Sequence, residues 1–156
     1  MKKILGLLFL LFAMLIGIAI SKQYLKNPQT FGKNPTAEIN GHVYNLQVAR
    51  SAKEKEIGLS QTKKLDKDSA MLFPFEKPDY YSFWMKDMKL PIDIIFISTD
   101  KIVTIHQNVQ PPKTPGETLP IFKPSSPSDK VLEINAGQSA DYNFKEGDSV
   151  KFENIQ

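Results

Sequence analysis

The hydrophobic pattern divides the chain into one long apolar stretch, a polar bridge and a series of short alternating runs. Ile4 to Ile20 is apolar throughout, preceded by Lys2 and Lys3 and followed by Ser21 and Lys22. A run that is apolar on every side has no amphipathic stripe to lay on a core, so it predicts an N-terminal apolar helix used for export. Its 17 residues exceed the roughly 7–15 of a signal-peptide core and reach the lower end of the roughly 17–25 of a spanning helix. Residues 1–21 are therefore a signal peptide or a signal-anchor, and the length favours an anchor. The lysine pair favours an N-terminus inside and a domain outside the cytoplasm. Ala19-Ile20-Ser21 offers the alternative, secretion after cleavage near Ser21. Residues 22–35, polar and with Asn-Pro twice around a Gly, read as a linker.

From residue 36 the runs shorten. Thr36–Ile39 and His42–Ala49 predict two strands joined at Asn40-Gly41, a hairpin signal; in the second, Val43, Leu46 and Val48 alternate only approximately. Ser51 with Glu54 three residues on forms a capping box, and Gly58 closes a short helix. Ala70–Phe75 and Ile92–Ser98 read as buried strands, Tyr80–Met85 as an aromatic strand, and Ile102–Val109 as an alternating one. Six of the 11 prolines lie between Pro111 and Pro127, which excludes a central strand or helix there. Lys130–Asn135, a helical turn over Gln138–Tyr142 and a closing strand Ser149–Glu153 complete the series. The sum is a mainly β domain over 36–156: a compact sandwich or partly open barrel of about seven or eight short strands with one or two short helices. With its own charge balance and the apolar run outside it, this domain is expected to fold alone.

Composition removes whole classes of chemistry. The absence of Cys excludes disulfides, thiol nucleophiles, Cys-bound zinc and iron–sulfur clusters, and the two His are too few for a His-rich metal site. His42 and His106 fall on separate strands without ligand-spaced partners. No Walker, dinucleotide-binding or nucleophile-elbow pattern is present, so no cofactor or metal is expected. The net charge of +3 is misleading: residues 1–33 hold five lysines and no acid, leaving 15 basic and 17 acidic residues for the rest. A phosphate-binding face needs concentrated cations, so nucleic acid is not an expected partner.

Trp84, with Phe83, Met85 and Met88, suits an apolar pocket or a ring-stacking platform, and Met71 fits either; plain packing is the commoner role of such rings and the expected one. Asp87, Asp93, Asp100 and Glu133 are the acids that paired-carboxylate chemistry or a hard cation would use. Asp93, between Ile92 and Ile94, is expected to be partly buried and held by backbone hydrogen bonds or by Arg50, the one arginine. Arg50 suits either a clamp on a ligand carboxylate or phosphate, or a scaffold role. The candidate ligand cleft is thus Arg50, Met71, Phe83, Trp84, Met85, Asp87, Asp93 and Glu133, with no residue assigned as catalytic.

Several stretches, taken in order, carry a resemblance: Ala49–Leu59, Ala70–Phe73, Ser82-Phe83-Trp84-Met85-Lys86, Leu90-Pro91-Ile92-Asp93, Asn108-Val109-Gln110-Pro111, and Leu132-Glu133-Ile134-Asn135-Ala136-Gly137. In this order and spacing they resemble the bacterial and archaeal family called domain of unknown function 192, over roughly residues 36–154. The resemblance implies a compact, mainly β domain, often behind a signal peptide or membrane segment, with no established activity. After Phe83-Trp84-Met85-Lys86 the family usually carries Asn and a small hydroxylated residue, where this chain has Asp87 and Met88. Three functions fit: a membrane-tethered, non-catalytic binding or accessory module for a small ligand or envelope protein; an envelope hydrolase using Asp93 with Asp87 or Glu133; or a structural β module. The hydrolase requires at least two of these carboxylates to converge in an open cleft beside Trp84.

Overall fold

The computed structural model describes residues 34–114 and 116–155; the apolar run and most of the linker lie outside them. The described residues form seven strands: β1 (Thr36–Ile39), β2 (His42–Val48), β3 (Ser69–Asp79), β4 (Ile92–Ser98), β5 (Lys101–Val109), β6 (Ser128–Asn135) and β7 (Val150–Glu153). Two short helices accompany them, α1 (Ala52–Ile57) between β2 and β3 and α2 (Gln138–Asp141) after β6. The capping box at Ser51 and Glu54 forms as the sequence predicts.

The strands make one sheet in the order β5-β4-β6-β3-β2-β1-β7. Only β2 and β3 run parallel, across the α1 connection; the other pairs are antiparallel. At one end the outermost strands meet. Lys101 bridges Ser149, the Ile102 and Gly147 amides donate to the Asp148 and Ile102 carbonyls, and the Val150 amide donates to Asp100. The sheet is therefore a curled half-barrel, the partly open barrel of the two predicted forms, and not a sandwich.

Both faces of the sheet are covered, which explains the unbroken apolar runs of β4 and β6. One face carries Tyr44, Leu72, Ile95, Ile97, Leu132 and Ile134, closed by Phe144. The opposite face carries Met71, Phe73, Ile94, Phe96 and Val131, beneath Leu59 and Met85. Two acids interrupt these runs, Asp93 and Glu133, which are 0% and 6% exposed. Asp93 pairs with Ile134 and Glu133 with Ile94, so the two acids point to opposite faces.

Two predicted features differ. Tyr80–Met85 is not a strand: β3 continues past Pro74, with a register shift, to Asp79, and the chain then leaves the sheet. Every interior strand already has two neighbours, so this aromatic segment finds only one bridge, Phe83 to Phe122 in the proline-rich loop. In β2 the inward positions are Tyr44 and Leu46, while Val43 is exposed. Among the described residues no helix is long and apolar enough to cross a membrane.

Candidate functional site

A cavity of about 550 Å3 opens between α1 and the aromatic segment that follows β3. Its walls come from three places. The end of α1 and Gly58–Ser60 form one side, Phe73 and Phe75 of β3 the back, and Tyr81–Trp84 with Lys86–Met88 the other side. Gly58 has φ +46, and an added Cβ would meet the Phe73 ring at 3.4 Å, so the residue both ends the helix and lets the chain lie close to that ring. The aromatic walls are fixed by mutual contact. Phe75 stacks on Tyr81 at 3.6 Å, and Phe83 stands edge-on to Phe73 at 5.1 Å and to Phe96 at 5.7 Å. Lys55 Nζ lies 4.4 Å from the centre of Phe75, and Lys86 Nζ 5.6 Å from that of Trp84, both within cation–π range.

Glu133 enters this cavity from β6. Its cross-strand neighbours are Met71 of β3 and Ile94 of β4, neither of which offers a hydrogen bond to a carboxylate. Oε2 is buried without a partner. Burial pushes the carboxyl up to about 8, from an ordinary 4.5, because a charge away from water is penalised. At neutral pH the group is therefore mostly a neutral acid able to give or take a hydrogen bond.

Four of the expected cleft residues meet here: Phe83, Trp84, Asp87 and Glu133. Trp84 is 54% exposed, contrary to the packing role expected of it, and also lines a second cleft of about 400 Å3 with Pro112, Leu119 and Ile121 of the proline-rich loop. Asp87 is exposed and has φ +59. Asn and Asp are the side chains that best tolerate that left-handed geometry, so Asp87 meets the backbone demand of a position where the family usually has Asn. Met71 and Met85 pack in the core and do not line the cavity.

Asp93 and Arg50 belong elsewhere. The Asp93 carboxylate accepts from the backbone N–H of Asn108 at 2.7 Å, of Gly137 at 2.9 Å and of Ser139 at 2.9 Å, and from the Ser139 hydroxyl. It thereby ties β4 to the end of β5 and to the start of α2, the backbone-held structural role expected of it, without Arg50. Arg50 Nη2 donates instead to the Ile155 carbonyl at 3.2 Å. His42 stacks on Tyr142 at 4.0 Å with Nε2 3.4 Å from Asp68, and His106 Nε2 meets the Lys123 carbonyl at 2.9 Å. Among the described residues no three His, Asp or Glu side chains gather as a metal site.

Lys53, Lys55, Tyr81, Phe73 and Phe75 also line the cavity and were not among the sequence candidates. The aromatic density of Phe73–Phe75 and Tyr80–Trp84 was visible, but as strands these rings pointed to packing; only the fold turns them around one space.

Among curated proteins no sequence matches this chain. Two crystal structures are similar. A protein of unknown function from Novosphingobium aromaticivorans is 33% identical, with a TM-score of 0.64 over 75% of this chain and 82% of its own. A Sinorhizobium meliloti protein described as a candidate transcription regulator is 28% identical, with a TM-score of 0.66 over 76% of this chain and 91% of its own. The model of the family of uncharacterised ACR proteins, domain of unknown function 192, matches residues 35–152. The half-barrel, the cavity beside Trp84 and the buried Glu133 are thus features of a chain that belongs to the domain of unknown function 192 family.

Proposed function

We propose that the protein is an extracytoplasmic binding module, held at the membrane by residues 4–20, whose cavity beside Trp84 takes a small molecule without chemical turnover. One observation carries the binding reading: a buried carboxyl with an unpartnered oxygen lines an open, aromatic-walled cavity. A protein leaves such a group unpaired at a cost, and a ligand that pairs it recovers that cost. Asp93, half of the carboxylate pair a hydrolase would use, is engaged on the other sheet face. A hydrolase reading keeps one support, since Asp87 and Glu133 line the same cavity. The described domain has no excess of cations, with 15 basic against 17 acidic residues, so the regulator description of the Sinorhizobium meliloti protein is not carried over.

The test is an NMR titration of the isotopically labelled protein with phenol, indole and p-nitrophenyl glucoside. Saturable shifts at Phe75, Trp84 and Glu133 support the binding module; no shifts, or shifts scattered over the surface, overturn it. Release of p-nitrophenol replaces it with the hydrolase. The location is checked separately, by intact mass of the protein from native membranes. A chain that keeps residues 4–20 supports the anchor, and a soluble chain beginning near Lys22 removes it.

A further inference from the structure

Building on the binding reading, we infer that the cavity selects a small zwitterion of amino-acid type, its ammonium end on Glu133 and its acid end at the lysines of the mouth. The inner half of the site has the chemistry of an ammonium receptor. Glu133 brings one buried acid whose Oε2 has no partner among the described residues, and Phe73, Phe75, Tyr81, Phe83 and Trp84 surround the space with rings. A positive charge gains from both, through the carboxylate and through the ring faces. Lys55 over Phe75 and Lys86 over Trp84 show two of these rings already accepting an ammonium group. An anion at the same depth gains nothing from the ring faces and is repelled by Glu133 once that acid is ionised.

The mouth has the opposite character. From α1 come Lys53, Lys55 and Glu56, and from the opposite wall Lys86 and Asp87, while β3 and β4 present only apolar neighbours to Glu133. Cations outnumber acids at the mouth, so an acid group on the ligand is drawn there while its amine reaches inward. The ligand must ionise Glu133 to pair with it, and therefore displaces a proton below about pH 8.

The full chain in lipid nanodiscs provides the test, because Trp84 is the single tryptophan and its fluorescence reports the cavity directly. Titration with 6-aminohexanoate is expected to be saturable. Its affinity is expected to rise about tenfold per pH unit from about pH 6 to about pH 8 and then level off. Hexanoate, which lacks the amine, is expected to bind at least about tenfold more weakly at the upper pH. In Glu133→Gln the pH slope is expected to vanish and 6-aminohexanoate to bind no better than hexanoate. No saturable binding of 6-aminohexanoate, equal binding of hexanoate, or an affinity independent of pH in the unaltered protein would each overturn the inference. Binding of phenol or indole in the cavity alongside such a result leaves the binding module standing and removes only its zwitterion specificity.

Discussion

Asp93 and Glu133 are both buried acids in the middle of apolar strands, on adjacent strands of the same sheet, and their surroundings are opposite in kind. Asp93 accepts from three backbone amides and a hydroxyl, and the two bonds from Ser139 are fully buried. Glu133 has an oxygen without a partner among the described residues and an open space in front of it. Burial alone therefore does not distinguish the two acids; their partners and the space in front of them do. Asp93 is thereby part of the architecture, whereas Glu133 keeps an unpaired oxygen on the wall of a cavity.

The contrast can be broken by substitution. Asp93→Ala strands the Asn108, Gly137 and Ser139 amides and is expected to cost about 3–5 kcal/mol, measured by chemical denaturation; a loss below about 1 kcal/mol would show that the amides find other partners. Glu133→Gln acts in the other direction at high pH. The folded carboxyl titrates near 8 and the unfolded one near 4.5, so between these values only the folded state keeps its proton. Stability from this group is thus complete below about pH 4.5, declines as pH rises to about 8 and is then constant. The substitution is expected to flatten that decline, worth on the order of 3–5 kcal/mol across the window, when melts are compared at several pH values; an unchanged slope would place the titration elsewhere.

Smaller effects sharpen the same contrast. Ser139→Ala removes one of four donors to Asp93 while the Ser139 amide remains, with an expected loss of about 1–2 kcal/mol. Trp84→Ala, at a half-exposed residue, is expected to cost less than about 1 kcal/mol, against the roughly 3–5 kcal/mol of a core aromatic, while abolishing ring contacts with any ligand in the cavity. A thermal melt separates the two values.

Much of the fold could be read before the structure. β1, the α1 capping box, β4 and β6 stand where the sequence predicts them, because local signals (Asn40-Gly41, Ser51 with Glu54, continuous Ile and Phe) decide them without distant help. The misreadings share a physical cause. Tyr80–Met85 has the composition of a strand, but pairing needs a vacant edge, and vacancy is a property of the whole sheet. Tyr44 occupies an inward position with its hydroxyl unpartnered, which an apolar-only count passes over in favour of Val43. The site was half legible for the same reason. Trp84, Phe83, Asp87 and Glu133 stand out individually in the sequence, and Asp93 reads there as a buried, backbone-held acid, but only the sheet pairing puts Asp93 and Glu133 on opposite faces. Lys53 and Lys55 join the cavity only because α1 lies against β3, a placement with no local signal.

The Phe83–Phe122 bridge also carries a kinetic meaning. Phe83 and Phe122 exchange both backbone hydrogen bonds, at 2.9 and 2.8 Å, and this pair is the one bridge between the aromatic wall and the proline-rich loop. Opening this pair is expected to loosen the loop and the segment that carries Trp84 together, in one local unfolding event instead of two. Their amides are accordingly expected to show similar protection when hydrogen exchange is measured.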